Sequence, residues 1–186
     1  MENNQALFDS LIAEALQTGA TNASIIPVSA VEKDASFRSL CASNACGVYG
    51  KCWMCPPDVG EIEDLMRELE EYSHAFVYQT IYPLEDSYDF EGMTEAKKQH
   101  YKLTQKIRSL FDQHTDIQAL HLGAGGCGVC ERCSKRDNEP CRFPSLAIPS
   151  LEAYGVNVSK LAPAAGMKYI NGQNTVTYFG AVFFRD

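Results

Sequence analysis

The chain has 186 residues, 45% of them hydrophobic, which is enough to bury a core and fits a single domain over residues 1–186. Its 24 acidic residues outweigh 16 basic ones, and the formal net charge of -8 argues against a nucleic-acid partner or a membrane surface, both of which need a basic excess. Asn3, Asn4, Asp9 and Glu14 interrupt the first turns, so neither a signal peptide nor a transmembrane span is expected, and the reading is a cytoplasmic protein with reduced cysteines.

Leu7, Leu11, Ile12, Ala15 and Leu16 share one helical face, which predicts an amphipathic helix ending before Gly19. Residues 24–31 read as a strand. Cys41, Cys46, Cys52 and Cys55 follow in a stretch broken by Gly47, Gly50, Pro56, Pro57 and Gly60, the composition of an irregular loop. The spacing of Ile62, Leu65, Met66, Leu69 and Tyr72 predicts a helix, with Glu61, Glu63 and Asp64 at the positive end of its dipole. Residues 74–81 read as a buried strand, 83–93 as an acidic and aromatic surface excursion, and 94–114 as a helix with Leu103, Ile107, Leu110 and Phe111 inward. A short strand, 119–122, leads into the glycine turn 123–126 and a second cysteine group. Ser150 is placed to cap a helix start at 150–154, residues 156–165 suggest another short helix, and 175–184 form a strand rich in β-branched and aromatic residues. The fold class expected is an α/β (α+β) sandwich, a mixed sheet with flanking helices and cysteine-rich metal loops gathered at one end.

All eight cysteines fall into two groups, and scattered structural cysteines would not segregate in this way. In the second, Cys127, Cys130 and Cys133 stand at CxxCxxC spacing, which lets the backbone curl around one face of a metal–sulfur core and points to an iron–sulfur cluster, [4Fe-4S] by ligand type. Cys141, eight residues on and flanked by Pro140 and Pro144, is the favoured fourth ligand; Cys55, followed by two prolines, is the alternative. A structural zinc site uses the same four ligands and stands as the other reading of the metal. The segment GAGGCG at 123–128 matches a dinucleotide-binding pattern literally, but it runs into further cysteines rather than a clean helix. Its glycines more plausibly let backbone N–H groups approach cluster sulfurs. Arg132 and Arg142 can balance cluster charge, while Lys135 and Arg136 read as a solvated turn.

The first group has enough thiols for a second metal site, yet its spacing matches no ferredoxin pattern closely. Cys46 and Cys55 are its leading ligands, Cys41 is next and Cys52 last. Tyr49 and Trp53 beside them can shield a cluster from water. His74, His100, His114 and His121 are isolated from one another, and no residue set at hydrolase or nucleotide-binding spacing is present, so catalytic residues are unknown and the chain is not read as an enzyme of any defined class.

Taken together, CGVYGKCWMCPP at 46–57, CGVCERC at 127–133, PCRFP at 140–144 and SLEAYGVNV at 150–158 resemble a family of prokaryotic proteins described as predicted metal-binding proteins, DUF2284. The likeness covers most of the chain from Cys41 onward. It implies a soluble, cysteine-ligated metal protein and carries no reaction with it. The chain departs from that pattern at Cys52, where relatives carry serine or other residues, and this ranks Cys52 lowest among the ligands. The functional expectation is an iron–sulfur protein in electron transfer or redox support, with one or two clusters and a redox partner protein. The alternatives are a structural zinc-binding interaction module and a cluster-dependent enzyme. The oligomeric state is left open.

Overall fold

The computed structural model describes residues 2–114 and 117–185. Helix α1 (Glu2–Thr18) precedes strand β1 (Asn22–Pro27), and the short helices α2 (Phe37–Ala42) and α3 (Ile62–Glu68) lead to β2 (His74–Pro83). The long helix α4 (Phe90–Asp112), strand β3 (Gln118–Leu122), helix α5 (Val158–Ala164) and strand β4 (Thr175–Arg185) complete the order. The four strands form one sheet in the order β1-β2-β4-β3, so the strand latest in the chain lies in the interior between β2 and β3.

The central strands are apolar on both faces because both faces are covered. Ala75, Val77, Phe179, Ala181 and Phe183 meet Leu65, Leu69, Leu151, Tyr154 and Leu161 in one core. Their neighbours Phe76, Tyr78, Val182 and Phe184 meet Leu11 and Ala15 of α1 and Leu103, Ile107, Leu110 and Phe111 of α4 in a second core. Phe111 stands edge-on to Phe76 at 5.4 Å and to Phe184 at 5.5 Å, an arrangement that adds to the burial of its ring. The result is the α+β sandwich expected.

Several details differ. Every strand pairing is antiparallel, so the sheet is not mixed. Strand β1 stops at Pro27 and gives way to a 3₁₀ turn, Val28–Ala30. Helix α4 begins at Phe90, earlier than its apolar stripe indicates, because the Asp89 carboxylate accepts a hydrogen bond from the Gly92 backbone N–H at 2.8 Å. The Ser150 Oγ accepts from the Ala153 N–H at 3.1 Å, but the turn that follows is 3₁₀, Glu152–Tyr154, with Leu151 rather than Ser150 at its N-cap.

The register also changes how the cysteine loops are placed. The end of β1 at Pro27 aligns, through His74 and Phe184, with the start of β3 near Ala119, so β1 and β3 run in opposite directions. The two loops therefore leave opposite ends of the sheet rather than one shared end. They meet on the segment 150–156: Lys33 bridges to Val156 and the Asp34 N–H donates to the Gly155 carbonyl at 2.7 Å, while Gly123 bridges to Ser150. The Gly123 N–H donates to the Pro149 carbonyl at 2.9 Å and the Leu151 N–H to the Gly123 carbonyl at 3.0 Å, closing the neck of the second loop.

Candidate metal centre

In the first loop, α2 presents Cys41 near its C-terminal end, a short helix inside a stretch expected to be irregular. The Gly50 N–H donates to the Pro56 carbonyl at 2.9 Å, the Cys55 N–H to the Cys52 carbonyl at 3.0 Å and the Val59 N–H to the Cys55 carbonyl at 3.1 Å. These turns sink Cys52 and Cys55 to 4% and 6% exposure, leaving Cys41 half-buried and Cys46 exposed. In the second loop, Cys127, Cys130, Cys133 and Cys141 are all half-buried. Cys133 enters a 3₁₀ turn, Ser134–Asp137, and the Ser134 hydroxyl donates to the Pro140 carbonyl at 2.8 Å, which brings Cys141 back toward the CxxCxxC run.

The loops touch directly. A Cβ at Gly126 would sit 3.4 Å from the Cys55 sulfur, so a glycine there admits the thiol of one group against the backbone of the other. The Trp53 indole N–H donates to the Glu139 carbonyl at 2.9 Å, and the Lys135 ammonium lies 4.2 Å from the Trp53 ring centroid while pairing with Asp58 at 2.5 Å. Lys135, read from the sequence as part of a solvated turn, is instead a clamp between the loops, its side chain 18% exposed. Arg136 lines the cavity they enclose.

That cavity, about 630 Å³, is lined by Cys41, Cys46, Cys52, Cys55, Cys127, Cys130 and Cys133. A second, of about 20 Å³, is surrounded by Cys52, Cys127, Cys130, Cys133 and Cys141. Cys52, ranked lowest from the sequence, lines both cavities together with Cys127, Cys130 and Cys133, and so brings a thiol of the first group among those of the second. A hydrogen bond from the Cys55 thiol, then backbone bonds at Met54 and Cys127 and the Cys133 thiol, outweigh burial and hold its pKa well below the usual thiol range. The same bond to Cys52, reinforced by burial, pushes Cys55 up. Burial raises Cys41 and Cys127 as well. A lowered pKa favours the thiolate, the form in which a cysteine binds metal.

The profile of the family described as predicted metal-binding protein, DUF2284, matches residues 24–184, a span that contains both cysteine groups. This chain belongs to the DUF2284 family. No curated protein and no solved structure matches it.

The thiols of this DUF2284 protein fit a metal by donor chemistry, since soft sulfur ligands converge on shared cavities and the pKa of one of them is lowered. Among the described residues, no three His, Cys, Asp or Glu side chains are gathered tightly enough for a single ion. No helix among the described residues is long and apolar enough to cross a membrane. His100 is buried with its Nδ1 at 2.8 Å from the Thr80 hydroxyl and also lines the large cavity, and His121 packs edge-on against Phe111.

Sequence reasoning missed the wall facing the thiols. Thr94, Lys97, Lys98 and Tyr101 of α4 line the large cavity, and Glu152 joins them from the 3₁₀ turn. Burial, and then the neighbouring Cys127, push the Tyr101 phenol up, while Gln105 donates to its oxygen at 2.7 Å. The signal was present as a helical spacing of polar residues on α4, on a side away from its apolar stripe.

Proposed function

We propose that this protein holds iron–sulfur clusters and serves electron transfer or redox support, exchanging electrons with a partner protein. Cys127, Cys130, Cys133 and Cys141 are the ligands of a [4Fe-4S] cluster, and Cys41, Cys46, Cys52 and Cys55 form a second metal site beside it. The observation that supports this reading is the convergence of two cysteine groups, about seventy residues apart in sequence, on adjoining cavities with Cys52 in the wall of each. The CxxCxxC spacing of Cys127, Cys130 and Cys133 favours a cluster over a structural zinc ion, whose modules more often carry two separated CxxC pairs. Such a cluster supplies reversible one-electron exchange. The half-buried Trp53 and the cavity-lining Tyr49 limit its contact with water, which tunes the potential.

Anaerobic purification followed by iron, zinc and acid-labile sulfide analysis and a visible spectrum tests the reading. Iron and sulfide in equal amounts, with a broad absorption that bleaches on reduction, are expected. About four or about eight irons per chain separates one cubane from two. Zinc without sulfide or colour from protein kept anaerobic throughout would replace this reading with a structural zinc module.

A further inference from the structure

Charge along α4 and the loop before it is divided end from end. We propose that this division makes α4 the contact between two copies of the chain, packed antiparallel about a twofold axis. The inference goes beyond the proposed function and does not rest on it.

Residues 85–95 carry Glu85, Asp86, Asp89, Glu91 and Glu95 and no lysine or arginine, whereas residues 96–111 carry Lys97, Lys98, Lys102, Lys106 and Arg108 and no acid. Those five cations come from only 16 in a chain of net charge -8. At about 100° per residue, Glu91, Glu95, Lys98, Lys102 and Lys106 lie within a sector of about 80°. That sector is opposite the stripe of Leu103, Ile107, Leu110 and Phe111 that packs in the core, and all five charged residues are exposed. At the acidic end the rings of Tyr88 and Phe90 are also exposed, at 79% and 71%.

Such a face is unfavourable for a helix that meets water alone. Glu91 and Glu95 stand four residues apart, as do Lys98 and Lys102, and Lys102 and Lys106, and like charges at that spacing repel. The helix dipole does not account for the lysines, since its effect is confined to the end turns and the last turn of α4 holds no basic residue. Relief within the helix is small: the Lys98 ammonium lies 3.7 Å from the Glu95 carboxylate, a loose pair with both side chains more than half exposed. Among the described residues no cation pairs with Glu85, Asp86, Asp89 or Glu91, and no acid pairs with Lys102 or Lys106.

A second copy laid antiparallel relieves both rows at once, because a twofold contact repeats every pair in both directions. With Glu95 set against Lys98 of the second copy, Glu91 falls against its Lys102 and the carboxylates of Glu85 and Asp86 come toward its Lys106. A wholly acidic partner would meet the lysines but repel 85–95, and a wholly basic one would do the opposite. The partner that fits is divided in the same way, and Tyr88 and Phe90 add apolar surface for it to cover.

Sedimentation equilibrium of the anaerobically purified protein tests the contact, with circular dichroism as the control for folding. A reversible dimer is expected of the wild type. Lys98→Glu with Lys102→Glu, and separately Glu91→Lys with Glu95→Lys, should each weaken it by at least about tenfold. An equimolar mixture of those two variants should associate to within about threefold of the wild-type affinity, since every facing pair is then opposite in charge. Lys160→Glu with Lys168→Glu makes the same change in net charge at exposed positions elsewhere and should be without effect. The single change Lys102→Glu should weaken the dimer in the same direction with less burden on the helix. A wild type that is monomeric at every concentration reached overturns the proposal, and is the result expected if the lysines serve an unrelated acidic protein. So does a dimer that the reversals leave intact, which would use another face, and so does a mixture of folded variants that fails to associate. None of these readouts depends on whether iron is found.

Discussion

The two halves of this molecule are held together by different physics. The sheet and its helices rest on ladder hydrogen bonds and two apolar cores, with Phe76, Phe111, Phe183 and Phe184 essentially withdrawn from water. The cysteine loops rest on a few directed contacts: the Trp53 to Glu139 hydrogen bond, the Lys135 to Asp58 ion pair and the bridges to the 150–156 segment. The first region is stable through what it excludes. The second has to be completed by what it binds, and so the scaffold should survive treatments that dismantle the loops.

Replacing Cys130 by alanine is the most drastic way to break the second region alone. It should eliminate the metal of the 127–141 site while the thermal unfolding transition of the scaffold persists, and full metal content in the variant would sink the ligand assignment. Phe111→Ala does the reverse. Removing a fully packed aromatic ring costs about 3–5 kcal/mol, so global unfolding should shift to lower denaturant while the metal content of the folded fraction is retained. Removing metal with a chelator sharpens the same contrast: far-UV circular dichroism should change little, and limited proteolysis should open new cleavage sites only within residues 37–61 and 123–149. Loss of the whole fold on chelation would show that the two regions are one cooperative unit.

Acid titration acts on the scaffold. Burial lowers the His100 and His121 pKa values to about 4, whereas an unfolded histidine titrates near 6.5. The unfolded chain thus binds more protons between those values. Stability from these rings is complete above about pH 6.5 and declines as pH falls toward 4, by up to about 1.4 kcal/mol per pH unit for each ring. Double replacement by glutamine should flatten that dependence in urea midpoints measured across the range. The smallest effect is expected of Trp53→Phe, which removes one hydrogen bond and weakens the contact with Lys135. A loss of about 1 kcal/mol, read as about fivefold easier metal extraction, should leave the unfolding midpoint of the scaffold in place.

The same division decides what could be read from the amino-acid sequence. β2, α4 and β4 were legible because a covered sheet and an amphipathic helix leave regular apolar patterns, and Leu103, Ile107, Leu110 and Phe111 are buried as their spacing requires. The cysteines were legible as two groups of thiols, expected together at one end of the sheet. The route by which the loops meet was not legible, because it depends on the interior position of β4 and the opposed directions of β1 and β3, neither of which has a local signature. The reach of Cys52 to the second group and the clamp made by Lys135 escaped for the same reason, each depending on contacts with the other loop. Lys97 and Glu152 were unplaced polar residues until α4 and the 150–156 segment were brought to one cavity.

The interior place of β4 also bears on how the protein matures. Among the described residues β3 pairs with β4 alone, so while the chain is being synthesised the strand that feeds the second cysteine group has no neighbour to lie against until residues 181–185 have been added. Until then the eight thiols belong to an unfinished sheet, open to oxidants and to stray cations. On the proposed reading a metal centre forms only once β4 has been made, and a ribosome-stalled fragment ending before β4 should carry every cysteine and yet acquire no stable centre.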